Sequence, residues 1–356
     1  MFISRLLERK YPSKYKPLSG NDLRHMLRIT FAGSMGLFFH SWITTQYGVF
    51  YVVYPIMLTG LVPTFTLHIA RQMVANAIIN CVEMLLLFTF LVNYPLPMTL
   101  AVFILYTLRF YLMSRGPLFL FGSMGVICLS VMPDFLSYAT TDMNDLMFSN
   151  IIGSLLAVVL SAVACFIFPD TEPRQRPAPI NKSSSRIMHE TLLASIIATL
   201  LFVIFQVYTL SDSLAALMAG IFALFPMHYR GAILSATWRI VGVIIGCMFA
   251  LAIQLIMYDF SRHLLLLLPL VSLALILAAR VHVFEKVGSG VGFSILTTLG
   301  LIFGQYMHPN NDIVFSDLYR LTSVTVSLLA TLVVTFVMHK VLNCFSATRF
   351  IQDESP

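Results

Sequence analysis

The chain has 356 residues, of which 58% are apolar and only 11% charged, whereas soluble domains are about 45–50% apolar and about 25% charged. With a mean hydropathy of +0.86, this composition excludes a soluble globular enzyme, a disordered chain and a nucleic-acid binder. The net charge of +6 is no exception, because the basic residues sit in short segments between apolar runs. A membrane-crossing helix needs about 20 mostly apolar residues. The runs predict an all-α polytopic membrane protein of about 12 transmembrane helices in two parallel six-helix repeats; ten spans with two re-entrant segments is the rival count. The cysteines (Cys81, Cys128, Cys165, Cys247, Cys344) form no CxxC pair and indicate neither a disulfide framework nor a metal site.

Residues 1–28 are basic and polar (Arg5, Arg9, Lys10, Lys14, Lys16, Arg24, Arg28) and lack an apolar core followed by a small-residue cleavage site. They read as a cytoplasmic segment and not as a signal peptide. The first repeat is expected over 29–169, with spans at 29–46, 49–68, 71–92, 97–113, 117–133 and 146–168. Residues 170–187, with their prolines, serines and basic side chains, read as a cytoplasmic linker. The second repeat is expected over 188–342, with spans at 190–209, 213–229, 232–257, 263–280, 288–307 and 317–341, and residues 343–356 form a cytoplasmic tail. If the N-terminus is cytoplasmic, nearly every Lys and Arg falls on that side. The opposite loops then hold Arg262 and border Asp134, Asp142, Asp145, Asp212, Asp259, Asp312 and Asp317.

Several landmarks recur at a near-constant offset, a little under half the chain. Arg71 recurs as Arg239, Arg109 as Arg280, Asp142 as Asp312, and Asn150 is matched by Arg320. The last span of the first half carries small residues every fourth position (Gly153, Ala157, Ser161, Cys165). Their counterparts at the Asn150-to-Arg320 offset are Ser323, Ser327, Thr331 and Thr335. Such a stripe lets another backbone approach closely and is expected to be scaffold packing, as are the spacings Gly242–Gly246, Gly288–Gly292 and Gly300–Gly304. Six spans per half gives both halves one orientation, related by an axis along the membrane normal.

Each half has an apolar hairpin ending in proline (Pro63, Pro226), then an arginine in a small-residue helix. In the second half this is Trp238-Arg239-Ile240-Val241-Gly242, with Gly246 one turn on; the first half closes with Phe168-Pro169-Asp170. On these features the chain resembles the fusaric acid resistance or aromatic acid exporter superfamily (FUSC), in its short two-repeat membrane form. It departs from that pattern at Ala70-Arg71-Gln72-Met73-Val74-Ala75-Asn76, where glycines are expected, and at Asn150, where arginine is common. The resemblance implies a bacterial inner-membrane, multi-pass pump with both termini cytoplasmic. It implies proton-driven export of small organic acids, especially aromatic carboxylates. The partners it implies are a periplasmic adaptor of the HlyD type and an outer-membrane channel; the sequence leaves open whether the chain forms a homo-oligomer.

Ionisable groups within a bilayer are costly and become functional candidates. Glu83 lies about 18 Å along its helix from Arg71 at 1.5 Å per residue, near mid-membrane. Gln72, Asn76, Asn80 and Glu83 share one helix face. Their second-half counterparts Ile240, Ile244, Met248 and Leu251 are apolar, so the scaffold alone does not require that face. Glu83 reads either as a proton-coupling carboxylate or as a register-fixing buried acid. Arg71, Arg109, Arg239 and Arg280 stand near cytoplasmic helix ends, where arginine commonly snorkels to the headgroups. Arg239 is the stronger anion contact, being inside its span beside Trp238 and carrying a fork that matches a carboxylate. Arg320 reads either as a partner of Asp317 or Asp312 or as an exit-side anion contact. His40 and His68 are lone, and no His, Asp and Glu set has metal spacing. No Walker A sequence, Gly-x-Ser-x-Gly elbow or HExxH is present, so neither ATP-driven transport nor an enzyme is expected, and no cofactor is implied. Two rival functions stand. One is a major-facilitator-like transporter, although Leu67-His68-Ile69-Ala70-Arg71 lacks the acid of that family's loop motif. The other is a non-transporting membrane scaffold, which would have no polar cavity shared by Glu83 and Arg239.

Overall fold

The computed structural model describes residues 18–43, 45, 47–136, 141–174, 182–208, 210, 213–257, 263–285, 290–305 and 313–350, without the side chains of 305 and 313–318. Among the described residues the chain is all-helical, with twelve α-helices and no strand. They are α1 (Gly20–His40), α2 (Val49–Leu61), α3 (Leu67–Phe90), α4 (Pro95–Arg115), α5 (Phe119–Leu136), α6 (Met143–Ile167), α7 (Ser184–Tyr208), α8 (Leu214–Ala223), α9 (Tyr229–Ile256), α10 (Leu264–Glu285), α11 (Val291–Gln305) and α12 (Ile313–Asn343). A 3-10 turn follows at Ser346–Thr348. Eight helices (α3–α7, α9, α10 and α12) are long and apolar enough to cross a membrane, and this is a membrane protein by composition and architecture.

Local chemistry sets the boundaries and moves several of them from their expected places. The first helix starts at Gly20, well before Ile29. Ser19 caps it there, its hydroxyl accepting from the Asp22 N–H while the Asp22 carboxylate accepts from the Ser19 N–H. The second helix ends at Leu61, not near residue 68, because Pro63 follows and Thr66 caps a new helix by accepting from the Ile69 N–H. Pro95 opens α4, and Gly116, with φ +90°, closes it. The expected linker is shortened by α7, which begins at Ser184, and α12 runs on to Asn343, into the expected tail.

Helices α2 and α8, of 13 and 10 residues, are shorter than the bilayer core needs. They are viable there because they are wrapped in protein, where no backbone meets lipid. Together with α5 and α11 they form the interior, and 83% of the apolar window of α5 is buried against 22% for α12. Around this interior, α2 packs on α6 as α8 packs on α12; α4 on α5 as α10 on α11; and α3 on α5 and α6 as α9 on α11 and α12. The halves meet through α1 on α10 and α7 on α4, and inside through α2 on α11 and α8 on α5. The small-residue stripes lie at matching contacts. Gly153 abuts the Phe50 backbone of α2, and Ser327 donates to the Ala216 carbonyl of α8 at 2.9 Å.

Most of the described basic side chains gather at one end, with several acids among them. Arg28 pairs with Asp170 at 2.9 Å and donates to the Phe168 and Pro63 carbonyls. Beside the contact of α1 with α10, His25 of α1 and His282 of α10 donate to carbonyls in the last turn of α2, Thr59 within the first half at 2.9 Å and Gly60 across the halves at 3.0 Å. At the other contact the buried Glu190 holds Lys182 (2.6 Å), Arg186 (3.1 Å) and the Ser114 hydroxyl (3.3 Å).

Candidate functional site

The polar residues inside the bundle form two centres, one in each half. The first is built on α3. Gln72, Asn76, Asn80 and Glu83 do share a face, and the first three are buried, yet they do different things. Gln72 caps the start of α5, its amide oxygen accepting from the Phe121 N–H at 3.0 Å and its amide nitrogen donating to the Pro117 carbonyl at 3.2 Å. Asn80 and Glu83 face Arg109 of α4, whose Nη2 donates to Glu83 Oε1 at 2.7 Å and to Asn80 Oδ1 at 3.2 Å. The guanidinium lies 4.5 Å from the centre of the Phe121 ring and covers Gly125, the one residue type there with room for it.

Arg109 therefore does not act as a helix-end snorkel. It is 1% exposed and ion-paired. The helix continues to Arg115, which reaches the end and stacks on Tyr111 at 4.8 Å. Arg71 and Arg280 are exposed, as a headgroup-level role requires. Beside the Glu83 pair, Asn150 of α6 accepts from the Tyr54 hydroxyl at 2.9 Å and donates to the Ala77 carbonyl at 3.2 Å. It thereby ties α2, α3 and α6 together.

The second centre lies where α8, α9, α11 and α12 meet. Arg239 is 2% exposed. Its Nη2 donates to the Thr297 hydroxyl at 2.9 Å, and its guanidinium sits 4.1 Å from the centre of the Phe222 ring. The stacked ring comes from α8 and is not the sequence neighbour Trp238, since adjacent helix positions point about 100° apart. Nε and Nη1 of Arg239 have no hydrogen-bond partner, and among the described residues no carboxylate lies within ion-pair distance. Arg239 lines a cavity of about 20 Å³ together with Arg320, Met218, Cys247 and Thr298, roughly the room a water or one oxygen of a bound group needs. Arg320 is 4% exposed. Its expected partners fall outside the description, Asp312 entirely and Asp317 by its side chain.

Thr298 follows Cys128 at the same offset by which Arg320 follows Asn150. At the place where the first half is filled by Tyr54, Cys128 and Asn150, the second half thus holds the cavity and a cation. Glu83 is not among the residues lining that cavity, so Glu83 and Arg239 occupy separate centres. Sequence reasoning missed the role of Arg109, the ring of Phe222 and the buried Glu190. Glu190 left a signal, being an acid at the head of an apolar run one helical turn after Arg186. Among the described residues no cluster of His, Cys, Asp and Glu could hold a metal ion.

Residues 25–164 match the family described as "Protein of unknown function (DUF2955)". The matched stretch runs from α1 through α6 and includes Glu83, Arg109 and Asn150 but not Arg239 or Arg320. No curated protein and no solved structure matches the chain.

Proposed function

We propose that this protein carries small organic anions, aromatic carboxylates in particular, across a bacterial inner membrane, with Arg239 as the residue that holds the anionic group. One observation carries this reading: a fully buried guanidinium with two unpartnered nitrogens and no carboxylate beside it among the described residues borders a cavity. An uncompensated buried cation is costly by several kcal/mol, and a transient anionic guest offsets that cost. A carboxylate matches the free donors of the fork, and Arg320 adds a second cation to the same cavity. The resemblance supplies the outward direction, a HlyD-type adaptor and an outer-membrane channel. The basic end of the bundle supports cytoplasmic termini.

We infer that the halves are two copies of a six-helix repeat related by an axis along the membrane normal. The recurring helix contacts support this, as do Gly122 and Gly292, which stand at the same offset as Asn150 and Arg320. Gly122 meets the backbone of α4 and Gly292 the backbone of α10.

The separation of Glu83 from Arg239 favours one other reading, a membrane scaffold that moves nothing. Reconstituted vesicles decide between them. Labelled benzoate should exchange across the bilayer faster than in protein-free vesicles, and Arg239→Ala should abolish the excess. Exchange equal to that of protein-free vesicles selects the scaffold.

A further inference from the structure

We propose that Arg109 is a second anion-binding residue, and that Glu83 is an internal carboxylate keeping its place, so that an anion takes that place only when Glu83 takes up a proton. This rests on the anion-transport reading above and adds how the proton is coupled to it.

The two arginines are built alike. Each lays its guanidinium on a ring from a neighbouring helix, Arg109 on Phe121 of α5 and Arg239 on Phe222 of α8. Each uses only Nη2 for its hydrogen bonds and leaves Nε and Nη1 buried without a partner. They differ in the counter-charge. Arg239 has none among the described residues, whereas Arg109 has the Glu83 carboxylate, held by one oxygen. Glu83 Oε2, Asn80 Nδ2 and Asn76 Oδ1 are likewise buried and unpartnered. Native interiors leave few such atoms. Five of them on four neighbouring side chains mark a place equipped for a hydrogen-bonding guest. Glu83 occupies that place as a substrate carboxylate would, without using the full fork that a bidentate guest engages.

Charge then fixes the sign of the coupling. One guanidinium balances one carboxylate. An anion arriving at Arg109 leaves Glu83 without its cation in surroundings where a lone ion is strongly disfavoured. A proton that arrives from the same aqueous side as the anion and adds to the Glu83 carboxylate restores neutrality: the Arg109–Glu83 pair, an anion and a proton become the Arg109–anion pair and a neutral Glu83 acid. Among the described residues, the other titratable groups around the pair are the thiols of Cys128 from α5 and Cys81 from α3, and the Tyr54 phenol from α2. Asn150 from α6 does not titrate. Proton and anion therefore cross in the same direction. Outward transport then runs down the anion's own gradient and carries a proton out with it, and is not driven by protons entering.

The test is benzoate binding to the full-length purified protein carrying Arg239→Gln, which removes the second-half site. Proton uptake is read by calorimetry in buffers of different ionisation enthalpy. We expect about one proton taken up per benzoate, with affinity falling on the order of tenfold per pH unit across the range in which that proton is taken up. Adding Glu83→Gln should leave binding with no proton uptake and a flat pH profile. Because Glu83→Gln alone strands Arg109 and can cost folding, Glu83→Gln with Arg109→Gln is the second variant. It keeps shape without charge and should bind no benzoate. Binding without proton uptake, binding that survives loss of Arg109, or loss of all binding in Arg239→Gln while the wild type binds each overturns this inference and leaves the Arg239 reading standing. Absence of binding in the wild type overturns both.

Discussion

At the residue scale, burial separates four arginines that look alike in the sequence. Arg71, Arg109, Arg239 and Arg280 all sit on the basic side of the chain's charge pattern, but only Arg109 and Arg239 turn inward. The polar face of α3 was legible because side chains three and four apart share a helix face. Its division of labour was not, because the partners, Phe121 and Pro117 for Gln72 and Arg109 for Glu83, are 26 to 49 residues away in sequence. Breaking the Glu83–Arg109 pair from one side leaves a buried charge, so Glu83→Ala should cost about 3–5 kcal/mol, while the double neutral variant should recover most of it. Arg71→Ala should stay within about 0.5 kcal/mol of wild type. Denaturant unfolding in detergent reads all three. Equal losses in the single and double variants would show that the pair's charge balance is not what matters.

At the element scale, proline and glycine explain where the apolar runs mislead. Apolarity alone predicts a second span over 49–68, but Pro63 and the Thr66 cap cut the helix to 13 residues. The run is apolar throughout because α2 is an interior helix, and the same holds for α8 and α5. Close crossings make two glycines indispensable. A Cβ on Gly122 would lie 2.6 Å from the Arg109 carbonyl oxygen, and one on Gly292 would collide with the His282 backbone. Neither obstacle is a flexible side-chain tip, so Gly122→Ala and Gly292→Ala should each destabilise by about 1–3 kcal/mol, read as a fall in thermal midpoint in detergent. Unchanged midpoints would contradict the packing of α4 on α5 and of α10 on α11.

At the scale of the whole molecule, the described residues form twelve α-helices, and an all-helical membrane protein was readable from run lengths. The way the halves join was not, because α1 on α10 and α4 on α7 are pairings with no periodic trace in the sequence. Ser34 and Ser272 meet across the first of these, with their hydroxyls 2.7 Å apart. Cysteines placed there in an otherwise cysteine-free chain should form an intrachain disulfide whose yield does not depend on protein concentration. A yield that rises with concentration would assign the contact to neighbouring chains. The separation of charge is also a whole-molecule property, with a neutralised cation in one half and a cation bordering a cavity in the other. Its most direct test is uptake of labelled benzoate by vesicles holding equal amounts of wild type, Arg239→Lys and Arg280→Gln. Lysine keeps the charge but loses the planar fork, so Arg239→Lys should weaken apparent affinity by roughly 10- to 150-fold, the equivalent of a charge-assisted hydrogen bond of about 1.5–3 kcal/mol. The exposed Arg280 should be dispensable. Wild-type affinity in Arg239→Lys would contradict the account.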